Sequence, residues 1–233
     1  MGARRMDERD LALVPIPETP CVVAPDPHAG LDPQVRKSRL RTLAQRMLAV
    51  HVSRVGEMPR IELYLDQLLQ MVGGELGFMR LPGETLVTGS MVNNYVKQRV
   101  VPAPRKHRYT RRHIASVIVV VAFKRVYSIS QIRDIIASLY AAGVDMERAY
   151  NEVCAALECS LKEQFAVGTD FTVPGVEPVV HLWDAAGEPV APELARVLEA
   201  AIVSLATKVY VEQTLALDVA DGEPPADKGL PER

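Results

Sequence analysis

Apolar side chains recur at three- and four-residue intervals through most of residues 34–217, and this spacing constrains the fold more than any single motif. A helix gathers such residues on one face, whereas a half-buried strand needs strict alternation. Leu40, Leu43, Met47 and Val50 draw one apolar line through a basic helix over residues 34–55, whose other faces carry Arg36, Lys37, Arg39, Arg41 and Arg46. Ile61, Leu65, Leu68, Leu69 and Val72 draw a second line, which Gly73 and Gly74 end. A third helix runs from a Thr88 cap to about Arg99, and a fourth from a Thr110 cap to near Val126. Ser128 and Gln131 form a capping box that opens a fifth. Tyr150, Val153, Leu157 and Leu161 line a helix over residues 146–165. Pro192 opens a long helix with Leu194, Val197, Leu198, Ala201, Ile202, Leu205 and Val209 on its apolar face. The valines and isoleucines of residues 114–121 leave a strand open, but the cap and the basic flanks favour a buried helix. The expected class is mainly α.

Prolines and charge divide the chain. Pro15, Pro17, Pro20, Pro25, Pro27 and Pro33 stand without hydrophobic period, so residues 1–34 read as a disordered leader. Residues 77–86 read as a loop around Pro82 and Gly83, and residues 169–180 as loop or short strand. Residues 218–233, with Pro224, Pro225 and Pro231, read as a disordered acidic tail. Two units are expected between these ends: residues 35–140, which include the basic helix, and a helical region over residues 141–217.

Several function classes drop out at this point. The longest apolar run, residues 114–123, falls short of the roughly 17 to 25 residues that cross a bilayer. Asp7, Glu8 and Asp10 follow Arg4 and Arg5 where a signal peptide would place its apolar stretch. Cys21, Cys154 and Cys159 are an odd set without metal-like spacing, and read as reduced structural thiols of a cytoplasmic protein. His107 and His113 lack neighbouring ligands, so no metal is expected. The sequence holds no glycine-rich phosphate loop and no nucleophile elbow, so neither an enzyme nor a cofactor is expected.

The net charge of −2 hides an asymmetry. Between Thr85 and Arg133 the chain carries Lys97, Arg99, Arg105, Lys106, Arg108, Arg111, Arg112, Lys124, Arg125 and Arg133 without one Asp or Glu. Beyond Asp134 carboxylates outnumber Lys and Arg about threefold. A solvated face mixes both signs. A single-sign block instead suggests a footprint for a polyanion.

At about 100° per residue, residues 90–98 separate into two sectors. Met91, Val92, Tyr95 and Val96 share one side, while Ser90, Asn93, Asn94, Lys97 and Gln98 occupy the other. Amides present donor and acceptor together to adenine in the major groove, and lysine reaches guanine or phosphate. Arg105, Lys106, His107 and Arg108 follow a proline-stiffened extended stretch, where a wing would straddle a phosphate backbone. Thr88 caps the amide-bearing helix, Tyr109 anchors the wing, and Arg111 and Arg112 sit in a first helical turn whose dipole disfavours cations. A phosphate would compensate them.

These residues resemble two known families. MVNNYVKQRVVPAPRKHRY, followed by SISQIRDII, is similar to the MerR winged-helix pattern. Residues 92–95 fall where that pattern has Leu-Arg-Tyr-Tyr, with Asn93 in place of the arginine. Val100, Val101 and Pro102 follow its Leu-Leu-Pro, and Arg108 with Tyr109 stand for the wing arginine and its aromatic neighbour. The wing is short, and the loop over residues 73–85 is longer than usual. More closely, LYLDQLLQ with VTGSMVNNYVKQRVVPAPRKHRYTRRHIA resembles a bacterial domain of unknown function, number 1836, over about residues 60–165. The resemblance implies a winged helix-turn-helix core with additional C-terminal helices.

The leading expectation is a transcriptional regulator that binds double-stranded DNA sequence-specifically. Ser90, Asn93, Asn94, Lys97 and Gln98 would read bases, and Thr88, Arg105, Lys106, His107, Arg108, Tyr109, Arg111 and Arg112 would hold phosphates. The competing expectation keeps the winged-helix core and docks its basic face on an acidic protein. A homodimer is expected if the long apolar stripe of residues 192–217 pairs between copies. The same stripe could instead pack internally on residues 146–165.

Overall fold

The computed structural model describes residues 32–167, 169–171 and 178–219. By its contacts the chain divides into Met1–Leu31 and Asp32–Arg233, and every described residue lies in the second unit. Most of the leader read from the sequence falls outside the described residues, as do Cys21, most of the tail, and residues 172–177 of the expected loop or strand.

The described residues are mainly helical, as the apolar spacing requires. Helix α1, Pro33–Leu48, starts inside the expected leader. Asp32 accepts a hydrogen bond from the Gln34 amide at 2.9 Å, and Pro33 takes the first helical position, where its missing N–H costs nothing. Pro33 thus opens a helix rather than belonging to an irregular segment. The helix ends at Leu48, and residues 50–54 run on without it.

Helix α2, Leu65–Glu75, differs from expectation at both ends. Leu63 lies before it and exchanges two backbone hydrogen bonds with Tyr109, at 2.8 and 2.9 Å, so Ile61 is left 69% exposed rather than buried on a helical face. Gly73 and Gly74 fall within its last turn, because burial of Leu68 and Val72 beneath it outweighs the propensity penalty of about 1 kcal/mol per glycine. A 3₁₀ turn, Gly77–Met79, and a loop with Gly83 at φ 73° lead to helix α3, Gly89–Lys97.

Helix α4, Arg111–Phe123, is buried on nearly all sides from His113 to Phe123. Its β-branched residues have weak helix propensity, but every backbone group of a helix is satisfied within it, which suits an element surrounded by others. Helix α5, Ile129–Ala141, opens on the expected box: the Ser128 amide donates to Gln131 Oε1 at 2.9 Å and Ser128 Oγ accepts from the Gln131 amide at 3.3 Å. Helices α6, Met146–Ala166, and α7, Pro192–Val219, pack along one another, and α1 contacts both. Leu198, Ala201, Ile202, Leu205 and Val209 of the α7 stripe are buried within the chain. Helix α2 packs on α3 and α4, and α4 touches α5, α6 and α7, so one apolar core runs through the unit.

No helix of the described residues is long and apolar enough to cross a membrane. No strand forms among the described residues, so the small sheet of the expected winged helix is not seen; pairing is limited to isolated bridges, among them Leu63 with Tyr109 and Arg105 with Arg108.

Candidate nucleic-acid interface

Helix α3 is placed by its apolar sector. Val92 and Tyr95 are fully buried and Met91 and Val96 half-buried, which turns Ser90, Asn93, Asn94, Lys97 and Gln98 outward as exposed residues. Thr88 Oγ1 accepts from the Met91 amide at 3.3 Å, so its hydroxyl is engaged as a cap. A Cβ on Gly89 would lie 3.1 Å from Leu65 Cδ2, and the glycine therefore lets α3 begin directly against α2. Among the outward residues Gln98 Nε2 donates to Asn94 Oδ1 at 3.1 Å, one turn apart. That bond fixes both amides and leaves the Gln98 carbonyl and one Asn94 lone pair free to meet a partner.

The exit from α3 is unusual. The Arg99 amide donates to Val96 O at 3.0 Å and the Val100 amide to Tyr95 O at 3.1 Å, the pattern of a Schellman ending. That ending needs a left-handed residue, normally glycine, and Arg99 fills it at φ 60°. The strain holds an exposed guanidinium at the end of the amide-bearing helix.

Residues 105–108 form the tightest hairpin a chain can make. The Arg108 amide donates to Arg105 O at 2.9 Å, and Lys106 and His107 both lie at positive φ, 48° and 58°. This type I′ geometry ordinarily takes Asn-Gly. Two exposed side chains that could bear charge thus stand at a strained tip. At its base Tyr109 is only 4% exposed and edge-on to His113, with ring centres 5.7 Å apart, so it faces the core. Arg108 lies with its guanidinium carbon 3.7 Å from the ring centre of Tyr64, an exposed aromatic just before α2. Stacking of this kind orients a guanidinium while leaving its N–H edge for another acceptor.

His113 braces the two stems. Its Nδ1 accepts from the Thr110 amide at 3.0 Å, which leaves Nε2–H to donate to Ala103 O at 3.4 Å. Nearby, Arg111 Nε donates to Pro59 O at 3.2 Å, and Arg112 Nη2 to Tyr140 Oη at 2.7 Å.

The acid-free block divides in three dimensions. Arg125, its side chain 10% exposed, is clamped between Glu84 and Glu212, and Arg133 lies 3.6 Å from Asp134. Lys97, Arg99, Arg105, Lys106, Arg108, Arg111, Arg112 and Lys124 form no ion pair among the described residues, and Lys124 lies 5.9 Å from the ring centre of Tyr95. Arg125 thus serves the interior. Sequence reasoning passed over Tyr64 as part of this surface and the buried His113 as its brace, and it counted Arg99 in the basic block without giving it a contact. The positive φ of Arg99 has no residue signature, and Tyr64 meets Arg108 only through the Leu63 bridge.

Burial pushes the Cys154 thiol up to about 12, and also raises Cys159, so both stay protonated at neutral pH.

Residues 53–153 match the family model of a domain of unknown function, DUF1836. The match begins just before the 3₁₀ turn Val55–Glu57 and ends within α6, so it spans α2, α3, the hairpin, α4 and α5 and excludes α1 and α7. No curated protein and no solved structure matches the chain.

Proposed function

We propose that this protein is a sequence-specific DNA-binding transcriptional regulator, with α2 and α3 as a helix-turn-helix and residues 105–108 as a minimal MerR-like wing. The observation that carries the reading is the pairing of an outward amide face with Lys97, Arg99, Arg105, Lys106, Arg108, Arg111 and Arg112, seven of the eight block cations that lack carboxylate partners among the described residues. Asn93, Asn94, Lys97 and Gln98, with Ser90 beside them, would meet base edges. Arg105, Lys106 and Arg108, and then Arg111 and Arg112, would meet phosphates, with His107 at the tip between them. Thr88 and Tyr109 act by holding α3 and the wing in place. Leu63 supplies the third strand position of the wing, contributed as a single residue.

The reading includes pairing of two copies on DNA, since helix-turn-helix modules commonly read two half-sites. Leu198, Ala201, Ile202, Leu205 and Val209 of the α7 stripe lie in the internal core, while its Val197 is 46% exposed. The exposed apolar residues of the same helix, Val197, Val203, Val211 and Leu215, are the surface left for a partner copy.

Selection of bound fragments from random DNA at two salt concentrations tests the proposal. An enriched motif whose recovery falls at the higher salt supports it. Equal recovery of all sequences, with an acidic protein captured instead, would favour the alternative in which the basic face docks a protein.

A further inference from the structure

A cavity of about 920 Å³ opens between α4, α5 and α6 and reaches Leu198 and Ala201 of α7. Its volume lies within the range of roughly 300–1,000 Å³ usual for small-molecule sites. Its depth is aliphatic and aromatic: Val119, Phe123, Ile132, Ile136, Leu139 and Val153 line it. Its mouth is charged, with Arg60, Arg99, Arg111 and Arg112 set against Glu62, Asp145 and Glu147. Asp145 is already committed, because Oδ1 caps α6 through the Glu147 and Arg148 amides at 3.0 and 3.2 Å and Oδ2 lies 3.6 Å from Arg148. The free balance at the mouth is therefore positive. Arg111 and Arg112 also stand beside the positive end of the α4 dipole, which an anion would relieve.

The lining includes both stems of the basic hairpin, Val100 and Pro102 on one side and Thr110 on the other. Two of its arginines, Arg111 and Arg112, are those assigned above to DNA phosphates. An anionic head held at this mouth and a DNA backbone would compete for the same guanidinium groups.

We propose that this cavity binds an amphiphilic anion, an aliphatic chain ending in a carboxylate, and that its occupation weakens the DNA complex. The regulatory half of this inference rests on the DNA-binding reading; the binding half does not. By linkage the weakening is reciprocal, so DNA lowers affinity for the anion by the same factor. No bond is made or broken.

Calorimetry on the full chain with decanoate, decanol and decyltrimethylammonium, each below its aggregation concentration, tests the binding half. Decanoate is expected to bind one per chain and at least tenfold more tightly than decanol, with the cation weakest. Ile136→Trp should fill the cavity and reduce decanoate affinity at least tenfold. Arg60→Gln, an exposed position outside the proposed DNA contacts, should reduce it several-fold and leave decanol unchanged, so the test survives if the tryptophan variant fails to fold. Equal affinity for all three probes, or decanoate binding indifferent to both substitutions, would overturn the assignment. On the selected DNA fragment, decanoate should raise the Kd several-fold for the wild type and not for Ile136→Trp. DNA binding without charge-selective decanoate uptake would overturn the cavity assignment alone. Charge-selective uptake by a chain that binds no DNA would uphold the site and overturn the regulator.

Discussion

Asn94 and Gln98 show how much a single hydrogen bond decides at the residue scale. Their mutual bond orders two side chains before any partner arrives, which under the proposed function would lower the entropy cost of reading a base. Asn94→Ala removes one amide and frees the other. Selection on random DNA should then lose preference at one or two positions, and the preferred site should weaken by about 1–3 kcal/mol, while affinity for unrelated sequences stays constant. The wheel over residues 90–98 made this face legible from sequence alone, because burial of Val92 and Tyr95 leaves only one orientation for the helix. The network that joins residues 52–54 to α6 was not legible, since its members are far apart in the chain. Arg54 donates to both carboxylate oxygens of Glu158, at 2.7 and 3.0 Å, and Glu158 also receives the Val52 amide. Burial opposes ionisation of Glu158, yet Arg54 and that amide overrule it and hold the carboxyl below its ordinary value of 4.5. A lowered folded-state value means the stabilisation is present above about pH 4.5 and is lost as pH falls through the lowered one. Urea unfolding should therefore weaken on acidification below that point in the wild type. Glu158→Gln should be less stable at neutral pH and show a flatter acid limb.

Among the elements, the hairpin of residues 105–108 is where local rules and fold disagree. Its turn wants glycine and holds lysine and histidine at positive φ, so His107→Gly should stabilise the chain by up to about 1 kcal/mol in thermal or urea unfolding. Its effect on DNA affinity should be small, because Lys106 and the two flanking arginines remain. A loss of stability would show that the tip is not strained. The helices themselves were legible at their caps: Thr88, Thr110, Ser128 and Pro192 each sit where a helix starts. The boundaries that escaped have tertiary causes. Leu63 pairs with a residue 46 positions later, which converts the expected first turn of α2 into an extended stub. Gly73 and Gly74 read as a stop, and core packing carried the helix past them. Asp32 with Pro33 is a start signal that the crowd of leader prolines concealed.

Across the whole molecule, α1 and α7 are tied to the segment that carries α3. Arg125 at the end of α4 joins Glu84, in the loop that delivers α3, to Glu212 on α7. Close by, Gln213 Nε2 donates to Arg80 O at 3.0 Å and its Oε1 accepts from Arg46 of α1 at 2.8 Å. Arg125→Met leaves Glu84 without a cation, whereas Glu212 keeps Lys208 at 3.2 Å, and it should cost about 3 kcal/mol of stability by denaturant unfolding. Substituting Glu84 and Glu212 by glutamine in the same chain should recover part of that loss. In the sequence Arg125 is indistinguishable from the cations around it, and only the fold separates the interior arginine from those on the surface. The cavity beneath the hairpin was equally hidden, because its lining is drawn from Val55 to Ala201. The central claim is that the unpaired cations neutralise DNA phosphates, and the dependence of DNA affinity on salt measures this most directly. With Arg105, Lys106, Arg108, Arg111 and Arg112 engaged, the logarithm of the binding constant should fall against the logarithm of salt with a slope of roughly −4.5 per bound copy, and Arg108→Ala should make it shallower by about one per copy. A slope near zero, or one that Arg108→Ala leaves unchanged, would contradict the account.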